Sequence, residues 1–359
     1  KLRIDYTDTD KGVALLENTS TNLITFSEDF SNSSWLKLNA SVTSNNIISP
    51  DGTLNADKLI PSNTTATTFI YSAFTSNASD YTLSFFIKYD ARQYVQLLFG
   101  SSASTNFSNF DLVNEVVTSG NGNIEKYDND WYRISLTANL NAGATEVYLW
   151  AIDSPLSSRA SASTGNGVDG YYIYGAQLEQ NSLLSSYIPT SGSAVTRAAD
   201  VANNAGNSEV FNDSEGVLFA DVDFLTFTGN DYFGLNDGTN NQRILIERST
   251  TNIKAYVNAV SLIAPISSLI NKTAVSYKAN DYKLYLNGFK VVTDTSSSVT
   301  PSGLNAFEFE LGGGFNLFAY LKAKQIGYYD AILTDAELEK LTSYNSLSEL
   351  VTELNLNTL

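Results

Sequence analysis

Lys283-Leu284-Tyr285-Leu286-Asn287-Gly288-Phe289-Lys290-Val291-Val292 reads as two short strands joined by a two-residue turn. Asn-Gly takes positive φ at both turn positions more readily than almost any other pair, and that turn has the twist two antiparallel strands need. Working outward, runs of the same character recur at short spacing. On the C-terminal side of the chain they are 216–224, Gln242 to Glu247, Asn252 to Val257 and Thr273 to Tyr277. Earlier come Tyr81 to Tyr89, Gln93 to Phe99, Trp131 to Thr137 and Thr145 to Trp150. Clusters such as Ser119-Gly120-Asn121-Gly122-Asn123 and Ser163-Thr164-Gly165-Asn166-Gly167 punctuate them. Strands of period two separated by turn chemistry describe antiparallel sandwiches or jelly rolls.

Helical signals wait until the end. Thr334 has the character of an N-cap, with Glu337 three residues on, so a short helix is expected from Asp335. Leu347, Leu350, Val351 and Leu354 are spaced for a second short helix or an oligomer contact. A single core stops growing well short of 359 residues, which implies two domains. The stretch from Pro189 to Asn207 lacks strand patterning and places the boundary, giving an all-β chain of two antiparallel sandwiches over 1–200 and 201–359.

Composition narrows the chemistry. The net charge of −17 opposes binding to phosphate backbones and anionic membranes. No apolar run approaches the ~18 residues of a spanning helix, so no membrane insertion is expected. The chain has neither Cys nor His, which removes thiolate chemistry, the usual general base and the commonest zinc ligand. Catalysis would have to rest on carboxylate pairs, Tyr or Lys, and a non-enzymatic protein is expected. With 16% charged residues, the surface must be covered largely by Ser, Thr, Asn and Gly. A neutral polar surface with 12% aromatics suits polyols, and it equally suits strand-rich folding in general. The chain contains no Met, so it is expected to be an internal or processed part of a longer one.

Several short motifs agree in order and spacing over most of residues 1–200. They are Arg3-Ile4-Asp5-Tyr6-Thr7, Ala14 to Asn18, Thr21-Asn22-Leu23-Ile24-Thr25-Phe26-Ser27-Glu28-Asp29-Phe30 before Trp35, and Pro50-Asp51-Gly52-Thr53. Trp131-Tyr132-Arg133, Gly175 to Glu179, Ser186 to Thr190 and Thr196 to Asp200 follow. This half resembles a module of bacteriophage tail fibre and appendage proteins, itself similar to jelly-roll carbohydrate-binding modules. The second half resembles the concanavalin-A-like lectin and laminin-G sandwiches through Glu215-Gly216, Leu284 to Gly288 and Ile326-Gly327-Tyr328-Tyr329 running into Leu333 to Leu338. The resemblance implies non-catalytic recognition of a cell-surface polysaccharide, at a virion surface or outside the cell, with other virion proteins as further partners and a homo-oligomer as one assembly. A structural or decoration role and membership of a polysaccharide-degrading enzyme are the rival readings.

Sugar-binding platforms need exposed rings, because the C–H face of a pyranose stacks on them. Trp35, in the polar loop 31–34, is the first candidate, followed by Tyr94, Trp150, Tyr172 and Tyr174. Trp131 and Trp150 sit in strand patterns and read as core before platform. Tyr172 and Tyr174 share one strand face with Tyr171 on the other, so one set is expected to be buried. The resemblance also implies a structural Ca²⁺ near the first and last strands, for which Glu28, Asp29, Asp169 and Glu179 are the acidic candidates. In the second half Asp221, Asp223, Asp231 and Asp237 are comparable. As glycanase-like acid pairs, Asp221 with Asp223 and Glu308 with Glu310 alternate on strands, but the three Trp all lie in the first half, and a solvated strand face or, for Asp221 and Asp223, a cation site is the expected reading. Gly312-Gly313-Gly314 reads as a turn or bulge, since it lacks the Lys and the following helix of a phosphate loop.

Overall fold

The computed structural model describes residues 3–6, 12–100, 106–225, 230–266, 270–311 and 319–343. Among the described residues the regular structure is nearly all β, every strand pair is antiparallel, and there is a single α-helix. It divides into two bodies: Thr19–Arg197, and Lys1–Asn18 together with Ala198–Leu359.

In the first body one six-stranded sheet runs in the order Val116–Gly120, Phe107–Asp111, Tyr94–Phe99, Gly143–Ala151, Phe69–Ser76, Leu36–Leu38. The other runs Asn123–Lys126, Trp131–Leu140, Ser79–Tyr89, Tyr171–Glu179, Leu54–Pro61, Ala40–Ile48. Alternate residues of each meet in one core: Val95, Leu97, Val147 and Leu149 from the first, Leu83, Phe85, Ile134 and Ile173 from the second. Two sheets burying facing sides in this way form a sandwich.

The second body stacks a seven-stranded sheet on a five-stranded one. Its core joins Leu218, Val222, Val275 and Leu284 to Leu235, Ile246, Ala255 and Leu262. The opening residues correct the expected boundary at the N-terminus. Val13–Leu16 pairs with Leu321–Tyr329, and Leu16 is buried in the second core. An edge strand carries unpaired backbone groups, and a short segment far away in sequence can satisfy them. The Arg3 guanidinium reaches both Glu17 and Asp200, so motif residues 197 positions apart are tied within this body.

The opening hairpin forms as read. Leu286 pairs with Phe289, and Asn287 and Gly288 have φ of 50° and 86°. Gly288 sits against the helix Asp335–Thr342, its N–H donating to Thr342 Oγ1, and an added Cβ would lie 3.2 Å from that of Ser343. Gly288→Ala is therefore expected to lower the stability of the second body by about 1–2 kcal/mol, the cost of a side chain in the left-handed region. Urea unfolding measures this, and an unchanged midpoint would remove the turn from the account. The helix starts at the expected capping box, with Thr334 accepting from the Glu337 N–H and Glu337 from the Thr334 N–H. The expected tail helix and the Gly312–Gly314 turn lie outside the described residues.

Candidate functional site

On the six-stranded sheet that ends at Leu36–Leu38, the face turned away from the core carries an aromatic strip. Period two forces this: where Val147, Leu149 and Ala151 point into the core, Tyr148 and Trp150 must point out. Cross-strand register then aligns two ladders. Leu38, Phe69, Trp150, Gln96 and Asn109 lie side by side, and the next ladder is Leu36, Tyr71, Tyr148, Leu98 and Phe107.

The segment 153–162 covers one half of this face. Asn109 Nδ2 donates to the carbonyls of Pro155 and Ser157, Gln96 Oε1 accepts from the Ala160 N–H, and Trp150 Nε1 donates to the Ser161 carbonyl at 2.8 Å. The other half stays open. Leu36 is 50% exposed and Leu38 43%, with Phe69, Tyr71 and Tyr148 half-buried. Tyr71 and Tyr148 stack at 5.2 Å between centroids with 25° between planes, and Phe69 packs edge-on to both. Burial, with Glu146 and Tyr71 adding to it against Arg159, holds the Tyr148 phenol above its ordinary pKa, so it remains a hydrogen-bond donor.

At the end of the same sheet lies a cleft of about 300 Å³ that shares Tyr94 and Ile152 with the aromatic cluster. Arg92, Gln93, Asp153, Asn166 and Asp169 line it as well. Arg92 is committed to its neighbours: Nε to the Tyr171 hydroxyl, Nη1 to the Thr164 carbonyl, and Nη2 to Asp153 Oδ1 at 2.6 Å. Burial would lower the guanidinium's pKa, but Tyr171 and Asp153 outweigh it and raise the value. Asp169 Oδ2 accepts from Asn166 Nδ2 at 2.7 Å.

The expected platform residues distribute unevenly over this arrangement. Trp150 backs the strip, 4.3 Å from the Phe69 ring, and is itself largely buried. Tyr94 lies in the cleft. Trp35 does not form a platform: it is 2% exposed, packed on Phe30 and Phe85, with Nε1 donating to the Phe26 carbonyl at 2.7 Å. The polar loop before it is a turn held by Asp29, whose Oδ1 accepts from the N–H groups of Ser31 and Asn32, and this sends the indole inward. Tyr174 is buried too, on the outer face of the second sheet, where it packs near Trp131 and donates to both Glu28 and Asp51 at 2.9 Å. Tyr172 shares that cluster beneath Lys58, half-buried, and Tyr171 is in the core. Phe69, Tyr71 and Tyr148 escaped the sequence reading, although Phe69-x-Tyr71 and Tyr148-x-Trp150 repeat an aromatic at strand spacing.

The four acids expected to hold Ca²⁺ are not brought together. Ca²⁺ takes six to eight oxygens. Asp29 caps its turn, Asp169 lies in the cleft, and Glu28 accepts from Tyr174 and Tyr187. Glu179, fully buried, accepts from the hydroxyls of Ser20 and Ser185. Among the described residues no three His, Cys, Asp or Glu form a metal-holding group.

In the second body Asp221 and Asp223 face Lys272 and Lys324 across the seven-stranded sheet, as a strand face of charge pairs does. Asp231 is buried opposite Arg248, and burial pushes its carboxyl up to about 6. Asp237 accepts from Thr239 in an exposed turn. Glu308 and Glu310 are buried rather than solvated. Asn236 donates to Glu308, while burial, then the Glu308 charge, raises the Glu310 pKa. The apolar groove of this body, about 400 Å³ and lined by Phe211, Phe307, Phe309 and Tyr328, offers few groups to a polyol.

No protein-family model and no curated protein matches the chain. Among solved structures it is similar to the CBM40 of a Ruminococcus gnavus sialidase bound to alpha2,3 sialyllactose, at 15% identity and a TM-score of 0.33. That match covers 40% of this chain and 94% of the other. The tandem CBM22 domain of Paenibacillus barcinonensis Xyn10C is similar at 9% identity and a TM-score of 0.30, covering 88% and 99%. Domains LG4-5 of the mouse laminin alpha1 chain follow at 9% identity and a TM-score of 0.25, covering 74% and 87%. The assignment to β-sandwiches rests on the sheets themselves.

Proposed function

We propose that the first body is a non-catalytic module that binds a cell-surface polysaccharide, within a phage tail fibre or related virion appendage. One observation carries the binding role: the open half of the sheet face presents Phe69, Tyr71 and Tyr148 in a row, beside a wall of loop and polar groups. Stacked pyranoses would cover rings that are now partly in water, and the released water drives association. The appendage context rests on the order of the motifs quoted from residues 1–200. Single-site affinity need not be high there, because several copies multiply weak contacts.

A glycan array with the intact chain tests the reading. Tyr148→Ala is expected to weaken binding at least tenfold, about 1.4 kcal/mol, a fraction of what burying an aromatic ring contributes. Tyr148→Phe, which keeps the ring, should retain most of the affinity. Equal binding by all three proteins would place the ligand elsewhere, and release of reducing ends from any polysaccharide would overturn the non-catalytic part.

A further inference from the structure

The cleft beside Tyr94 differs in kind from the strip it adjoins. The strip is apolar and open on one side. The cleft is a concave space of about 300 Å³, large enough for a single sugar ring, and its walls are polar. Its charge balance is the informative feature. Arg92 is the one cation among its lining residues, and it is already engaged by Asp153, by the Tyr171 hydroxyl and by the Thr164 carbonyl. Asp153 is held in turn, because its Oδ2 accepts from the Thr164 N–H at 2.7 Å. Asp169 adds a second carboxylate with no second cation in the lining, leaving the cleft one negative charge in excess. Asn166 is committed as well, its Oδ1 accepting from the Val168 and Asp169 N–H groups, and Gln93 Nε2 donates to Asp111, so what the walls offer a ligand is carboxylate oxygen, the Gln93 amide oxygen and the edge of Tyr94.

Such a lining accepts hydrogen bonds from hydroxyl or ammonium groups. It repels a ligand carboxylate, which would sit within a few ångströms of Asp169 with no free guanidinium to receive it. Tyr94 and Ile152 belong both to the cleft and to the packed cluster behind the strip, so the cleft adjoins the strip on the same sheet, and the inference seats in it the end of a chain lying along the rings.

We propose that this cleft is the subsite for a chain-terminal sugar that is uncharged or carries an amino group, and that it rejects terminal sugars bearing a carboxylate. The inference rests on the reading of the strip as a glycan platform. Specificity of this kind comes from the unfavourable contact as much as from the favourable one.

The test uses the intact chain and pairs of oligosaccharides identical except for the terminal residue, one neutral or amino-bearing and one a uronate or sialate. The acidic member of each pair is expected to bind about tenfold more weakly at low salt, with the gap narrowing as salt screens the repulsion. Asp169→Asn, which keeps the side-chain shape, should close most of that gap, and Tyr148→Ala should weaken both members alike. Equal or tighter binding of the acidic sugars overturns the cleft assignment and leaves the strip standing, provided Tyr148→Ala still weakens both. An undiminished gap in Asp169→Asn overturns it too. Binding of no member of any pair overturns the glycan reading as a whole.

Discussion

Alanine at position 35 is expected to cost the first body about 3–5 kcal/mol, a large fraction of the stability of an ordinary domain. The indole fills the space between Phe30 and Phe85, 5.1 and 5.8 Å from their rings, and its N–H satisfies the Phe26 carbonyl. Truncation would leave a cavity and an unpaired carbonyl together. In urea, the transition of the first body should move to lower concentration while that of the second stays in place. Glycan affinity per folded molecule should be kept. Lost affinity with an unmoved transition would restore Trp35 as a binding platform.

Asn22→Ala is expected to be comparably severe, about 4 kcal/mol, although no charge and little apolar area are removed. Asn22 is fully buried and uses all its capacity on the backbone. Its amide donates to the carbonyls of Ala176 and Ile188 at 3.0 and 2.8 Å, and its oxygen accepts from the N–H groups of Ile24 and Leu178, both at 3.1 Å. Alanine abandons four buried polar groups, and each unsatisfied group costs about 1–3 kcal/mol before the chain relaxes. Asn22→Asp separates hydrogen bonding from size: two carbonyls would face a carboxylate, so it too should destabilise. If urea unfolding shows either variant within about 0.5 kcal/mol of the parent, the tie from residue 22 to the strand Tyr171–Glu179 and to Ile188 does not matter to stability.

What could be read from the sequence was what local chemistry decides. Asn287-Gly288 and the Thr334/Glu337 pair each act within four residues, and both formed as read. The alternation of Tyr81 to Tyr89 marked a strand, but Tyr81 to Ile87 are buried on both faces, because the strand lies between neighbours and beneath further packing. Trp35 was misread because polar neighbours suggest exposure, whereas the Asp29 turn that buries the ring is a matter of direction. The strip could not be chosen from pattern. Period two says that Tyr148 and Val147 face opposite ways, and only the pairing of sheets and the course of 153–162 decide which ring meets water. The N-terminal strands were assigned to the wrong body for the same reason, since Val13–Leu16 finds its partner more than 300 residues away.

The most direct measurement is a crystal structure of the intact chain with the tightest-binding oligosaccharide from the array. The account places sugar rings over Tyr71 and Tyr148 with a terminal residue near Tyr94. Sugar seated on the second body, or on the first body away from these rings, would contradict it.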